Sequence, residues 1–369
     1  MPSACPDPTA HASSAAPYDA LLLVSFGGPE QPADVMPFLQ NVTRDRNIPS
    51  ERLDEVAEHY FTFGGRSPIN DLCRELVTAL RDDLSRAGID LPVYWGNRNW
   101  HPYLEDTLRR MTADGVGRAA CLVTSAYSSY PGCRQYRENL YDAVQAAPGP
   151  PRVDRLRHYW NHPGFVEPFV DASLRALSQL PAGGRLAFVT HSIPLGMAAS
   201  SGPEGHAYEH QHRSAAAQVA RRVGRRLNRR VDWELVYCSR SGPPQVPWLE
   251  PDVNDHLEAL AADAAPGVGL VPIGFISDHM EVVYDLDTEA AATARRLGLP
   301  LVRAATPGTD PRFVAMAREL LLERAATERG EAVRRRTVAG TAPSWDRCPA
   351  GCCPNPRAGR PALCGVDEQ

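Results

Sequence analysis

Short apolar runs alternate with amphipathic stretches along most of this chain, and that alternation predicts its elements. Residues 19–27 (DALLLVSFG) form an apolar run closed by Gly27, Gly28 and Pro29, which reads as a strand entering a turn. Helical periods follow at 51–63 and 68–87, with Ser67 placed to cap the second ahead of Pro68. Strand 91–97, helix 103–114, strand 118–126 and helix 134–146 complete a first series, which Pro148, Pro150 and Pro151 interrupt. A second series runs through strand 154–160, helix 164–179, strand 184–192 and helix 208–224. It continues with strand 233–239, helix 252–264, strand 267–275, helix 278–297, strand 299–305 and helix 310–329. Strands alternating with helices of this length predict parallel α/β units. The expected fold class is therefore α/β: two similar doubly wound domains with parallel sheets, at 18–150 and 151–330, and a cleft between them. Residues 1–17 read as a flexible tail, and 331–369 as an irregular Cys-rich tail.

Composition narrows the function classes. The 369 residues are 43% hydrophobic and 22% charged, in the range of globular proteins with ordinary cores. A net charge of −5 gives no electrostatic case for nucleic acid or an anionic membrane. Every basic residue among the 39 is Arg, which reads as coding bias. No apolar run reaches membrane-spanning length, and 1–17 lack the basic start and apolar segment of a signal peptide. These features predict a cytoplasmic protein, with a monomer as the simplest oligomeric state.

Two groups of residues carry chemistry. In VPIGFISDHMEVVYDLDTE (271–289), a helix starting near Ser277 would align Asp278, Glu281, Asp285 and Glu289 on one stripe, with Met280, Val283 and Ala290 facing elsewhere. Like charges at that spacing repel unless cations attend them; a solvated acidic face is the plainer reading. Its position after a strand, at the edge where open α/β sheets bind ligands, favours a site. Strand 184–192 ends in His191, which would face the same cleft. Imidazole with carboxylate suits a divalent first-row metal or paired proton transfer. The second group is sulfur. Cys348, Cys352, Cys353 and Cys364 crowd the last 22 residues, and in a reducing compartment such crowding points to metal ligation over disulfides.

SFGGPE (25–30), GGRSPIN (64–70), HSIP (191–194), SRSGPPQVPWLEPDV (239–253) and GFISDHMEVVYDLDTE (274–289) resemble the ferrochelatase family, in order, over about residues 18–330. The likeness is greatest to the actinobacterial coproporphyrin III type that carries a 2Fe–2S cluster. It implies two Rossmann-like domains around a porphyrin cleft and insertion of Fe²⁺ into coproporphyrin III to give coproheme. Protoporphyrin IX as substrate, another metal such as Co²⁺, or a haem- or metal-binding carrier without turnover are the alternatives. By motif, His191 matches the catalytic and metal-contacting histidine and Glu281 its acidic partner. Asp285 and Glu289 match a metal track, and Ser67 and Tyr136 match porphyrin contacts.

The resemblance also implies that Cys133 joins three tail cysteines around the cluster. Cys348, Cys353 and Cys364 are the favoured three, with Cys352 as rival to Cys353 and zinc as rival metal. Cys5, Cys73, Cys121 and Cys238 read as core or surface thiols. One departure stands out. Phe26 occupies a position where some coproporphyrin-type members have a Tyr that ligates the porphyrin iron, and Phe cannot ligate. Residues 31–50 are more polar than a membrane-dipping loop, and Arg44 or Arg46 is a candidate partner for a propionate.

Overall fold

The computed structural model describes residues 14–44, 48–242, 245–357 and 359–366. Two four-stranded sheets, parallel throughout, organise it. In the first the order is β2 (Val93–Asn97), β1 (Ala20–Ser25), β3 (Arg118–Val123) and β4 (Arg152–Arg155). In the second it is β6 (Trp233–Cys238), β5 (Arg185–His191), β7 (Val268–Val271) and β8 (Leu301–Arg303). The two sheets repeat one topology, so the doubly wound α/β reading holds. Strand order reverses at β1/β3 and at β5/β7, where such sheets open a ligand crevice at their C-terminal edge. The segments leaving β1 and β5 there are SFGGPE and HSIP.

All six residues of β1 are buried, as expected of a strand covered on both faces by helices. Leu21 and Leu23 of β1, Phe188 of β5, and Phe165 and Phe169 of helix Pro163–Ser178 belong to one core that runs through both units. Each fully buried Leu or Phe contributes roughly 1.5–3 kcal/mol. The last helix, Pro311–Glu328, packs on both Ile69–Arg86 and Pro163–Ser178, so the end of the second series ties it back to the first.

Two glycines let separated motifs pack together. A Cβ on Gly28 would lie 2.8 Å from the Ser67 Cβ, and one on Gly274 would lie 2.2 Å from Thr190 Oγ1. SFGG therefore packs backbone-close on GGRSP, and GFIS on the strand that ends in His191.

Several expectations change. The strand expected at 154–160 is Arg152–Arg155, and it pairs with β3 at the edge of the first sheet. The chain thus crosses between sheets after residue 155, beyond the Pro-rich break. Ser67 is buried but is not the helix cap; helix Ile69–Arg86 begins behind Pro68 without a side-chain cap. The strand expected at 267–275 stops at Val271, because Pro272 cannot donate to the ladder. The helix expected at 278–297 is broken into Met280–Val283, a π-helical stretch Asp285–Ala290, and Ala291–Leu297. Within 31–50 a helix, Val35–Val42, sets Val35, Phe38 and Leu39 against Ala57 of helix Ser50–Thr62, with Phe26, Tyr60 and Trp100 packed around them. Arg46, residues 1–13 of the N-terminal tail, and Cys5 lie outside the described residues. No helix among the described residues is long and apolar enough to cross a membrane.

Candidate active site

His191 is the last residue of β5 and Glu281 sits in the first turn of helix Met280–Val283, which follows β7. Neighbouring strands thus deliver the two side chains to one crevice, with His191 Nε2 3.4 Å from Glu281 Oε1. The other ring nitrogen, Nδ1, donates to the Ser192 carbonyl, which fixes the tautomer and leaves Nε2 aimed at the carboxylate. Burial opposes a charge on His191, but the Glu281 carboxylate and its hydrogen bond outweigh it and raise the imidazole to about 9. Burial likewise opposes the Glu281 charge, and the charge and hydrogen bond of His191 overcome it, lowering Glu281 to about 2. Near neutrality the pair is imidazolium and carboxylate. The two side chains remain 30% and 40% exposed, so water and cations reach them.

The acidic stripe is real but shorter than its sequence suggests. Asp278 lies before the helix and leaves the stripe to pair with Arg303 at 2.9 Å and accept from the Thr306 hydroxyl at 3.0 Å. Glu281, Asp285 and Glu289 remain. In the π-helical stretch the Glu289 N–H reaches back five residues to Tyr284 at 3.0 Å. Such widened turns are uncommon and recur at functional sites. Asp285 accepts from the Ser239 hydroxyl. Burial, with the charges of Glu281 and Glu289, lifts Asp285 to about 7 despite that bond and His191. Glu289 is exposed, so the three carboxylates descend from solvent to the half-buried pair.

Several contributors were missed by sequence reasoning. His279 caps helix Met280–Val283 by accepting from the Glu281 N–H at 3.2 Å, and burial holds its pKa low, so it serves as a neutral acceptor. The DHMEV motif contained that signal. From the first unit, helix Ser50–Thr62 brings Tyr60 within the field of Glu281 and Asp285, and burial and those charges raise its hydroxyl pKa. His59 of the same helix stacks on Tyr284 with ring centroids 3.7 Å apart. Nothing in the local pattern of that helix predicts an approach across the cleft. Behind His191, the Tyr208 hydroxyl donates to the His191 carbonyl at 2.8 Å, and Thr190 Oγ1 lies 2.9 Å from His212 Nε2. Each such buried bond contributes about 1 kcal/mol to holding the strand end.

Ser67 and Tyr136 are both buried, Ser67 against Gly28 and Tyr136 under the Arg98 guanidinium at 4.7 Å. They lie in the first unit, and no hydrogen bond or ion pair among the described residues joins them to His191 or Glu281. Phe26 packs edge-on against Phe38 at 6.3 Å with Arg98 over its ring, an aromatic role in place of ligation. Arg44 is exposed at the end of helix Val35–Val42. A concavity of about 320 Å³ is lined by Ile276 and Ser277, of the segment that leads to Glu281, and by Thr306, and a second, of about 790 Å³, lies on the first unit; neither is lined by His191 or Glu281.

The tail brings sulfur together. Cys133, Cys348, Cys352 and Cys353 form one buried group, with the Cys352 and Cys353 sulfurs 3.6 Å apart. The sequence expects one of that adjacent couple, and the structure gathers both. Cys364 stands outside the group, where its sulfur accepts from the Arg155 backbone N–H at 3.2 Å. S–H donation from Cys133 and Cys352 and the charges of Arg155 and Arg137 hold Cys348 below the usual thiol range against burial. No three His, Cys, Asp or Glu side chains among the described residues surround one point as ligands of a single ion. The thiols instead run as a chain of neighbours, Cys133 to Cys348 to Cys352 to Cys353. Four thiolates are the donor set of a 2Fe–2S centre.

The ferrochelatase family model matches residues 18–325. The chain is 59% identical over 366 residues to the coproporphyrin III ferrochelatase of Streptomyces griseus subsp. griseus, covering 96% of this chain and 97% of that protein. It is 58% identical to that of Streptomyces coelicolor, covering 96% and 98%. The coproporphyrin III ferrochelatase of Frankia alni is 55% identical, with 92% and 87% covered.

Proposed function

The chain belongs to the ferrochelatase family, and from this membership and the geometry of its cleft we propose that it inserts Fe²⁺ into coproporphyrin III to give coproheme, acting in the cytoplasm. The observation that carries the reading is the His191–Glu281 pair, with Asp285 and the exposed Glu289 leading from it to solvent. Metallation exchanges two pyrrole N–H protons for one Fe²⁺. The site therefore needs oxygen donors that pass the ion on and groups that take protons. Glu281, Asp285 and Glu289 are hard, weakly held donors suited to transit; a thiolate set would retain the ion. As Fe²⁺ reaches Glu281, its charge replaces the attraction that keeps His191 protonated. The imidazole, which remains partly open to solvent, then gives that proton to water and becomes the acceptor for a pyrrole proton. Ser67 and Tyr136 are assigned to the porphyrin, and Arg44 to a propionate.

The substrate assignment has a direct test. Coproporphyrin III carries four propionates and protoporphyrin IX two. The rim helix Val35–Val42 turns Val35, Phe38 and Leu39 inward, away from any lipid surface. Comparison of kcat/KM for the two porphyrins without detergent is expected to favour coproporphyrin III. A preference for protoporphyrin IX, or a requirement for lipid, would overturn the assignment.

We also assign a 2Fe–2S centre to Cys133, Cys348, Cys352 and Cys353. The centre would supply one-electron redox chemistry and a covalent tie between β3's following turn and the tail. Its residues fit: all four are at most 2% exposed, and Cys133 comes from the first unit. The protein as purified is expected to be reddish-brown. Cys133→Ser should bleach it and lower Tm by several degrees, whereas Cys364→Ser should leave the colour in place. Colourless protein with stoichiometric zinc would remove the iron–sulfur assignment and leave the chelatase one standing.

A further inference from the structure

Arg155, the last residue of β4, is only 3% exposed. No carboxylate pairs with it among the described residues, and its neighbours are sulfur and a neutral imidazole. Its Nη2 points at Cys348 Sγ at 3.8 Å, its Nη1 lies 3.2 Å from His158 Nε2, and its backbone N–H donates to Cys364 Sγ. Its Nε has no partner. His158 is 2% exposed, and burial together with the Arg155 charge holds its pKa at about 3, so it offers a lone pair and no countercharge. An arginine cannot shed its charge at any ordinary pH, and a buried charge without an opposite partner is strongly unfavourable. The adjacent Asp154 does not serve, because its carboxylate is turned to Arg118 and Arg324.

We propose that Arg155 is the fixed countercharge of the sulfur centre: its guanidinium is balanced by the thiolates of the Cys133, Cys348, Cys352 and Cys353 group, and it sets how readily that centre accepts an electron. The proposal rests on the iron–sulfur reading above. A four-thiolate 2Fe–2S centre is already anionic, and uptake of one electron, Fe³⁺ going to Fe²⁺, adds a further negative charge. A buried cation a few ångströms away stabilises the reduced form more than the oxidised one. Cys364 is then the sulfur that Arg155 positions by a backbone bond, outside the ligand set.

The test uses the full-length protein as purified, with Arg155→Met and Arg155→Lys beside the wild type. Iron and sulfide content are measured first, then anaerobic titration with dithionite and redox mediators, followed by visible absorption and electron paramagnetic resonance. Wild type without iron and sulfide would remove the iron–sulfur reading itself. With the centre present, Arg155→Met is expected to be about tenfold less reduced at the potential where wild type is half reduced, and Arg155→Lys to recover most of that. If Arg155→Met fails to assemble the centre, restored iron content in Arg155→Lys supports the countercharge. An unchanged midpoint in Arg155→Met, or loss of the centre in both variants, overturns it while leaving the iron–sulfur reading intact.

Discussion

Replacing His191 by Ala is expected to slow iron insertion by about a hundredfold or more, while coproporphyrin still binds and quenches its own fluorescence as in the wild type. His191 terminates β5 and its backbone carbonyl, not its ring, receives the Tyr208 hydroxyl. Removal of the ring therefore leaves the strand end anchored and takes away one proton acceptor at the point where the track ends. Glu281→Gln keeps the shape and removes the charge that orders the ring, so a comparable loss of kcat is expected. Asp285→Asn and Glu289→Gln lie further from the pair and should act mainly on the apparent KM for iron. Near-normal turnover in His191→Ala would dismiss the assignment. Equal losses of kcat at all four positions would erase the distinction between centre and track.

The second large effect is on pH. His191 is raised to about 9 and Glu281 lowered to about 2, so the pair holds one proton across the neutral range. Iron competes with that proton. Below pH 9, kcat/KM for Fe²⁺ is expected to rise up to about tenfold per pH unit. In Glu281→Gln the imidazole loses the charge that raises it, and the rise should level off at lower pH, near 6.5. Stability moves in the opposite sense. A histidine whose pKa is higher folded than unfolded stabilises the fold fully below about 6.5 and loses that contribution as pH climbs through 9. Thermal melts of wild type should therefore decline between pH 7 and 10 more than those of Glu281→Gln. A flat iron profile across pH 6.5–9 in wild type would contradict the paired state.

Much of this was legible in the chain because it depends on local period and on glycine. Most strands among the described residues contain apolar runs ended by Gly, Pro or a polar residue, and His191 stands at such an end; Arg152–Arg155 (RVDR) is the exception. Gly28 and Gly274 mark backbones too close for a side chain. What the sequence hid is long-range. Arg152–Arg155 looks like the start of a second series because it follows a Pro-rich break, yet pairing with β3 wins. Asp278 shares the spacing of the stripe, but the distant Arg303 draws it away. The π-helical widening has no signature in helical period, and Tyr60 comes within the field of Glu281 only because helix Ser50–Thr62 lies beside the site. Among the cysteines, spacing could not separate Cys352 from Cys353, whereas packing puts both in the sulfur group and leaves Cys364 against β4.

One measurement bears on the central claim most directly. Wild-type protein is mixed anaerobically with Fe²⁺ and coproporphyrin III, each in about hundredfold excess, and the loss of free-base porphyrin absorption is followed to completion. The account predicts steady conversion far beyond one porphyrin per protein, with coproheme released into solution. Conversion or uptake that halts at one equivalent, with iron and porphyrin retained on the protein, would contradict it and identify a carrier.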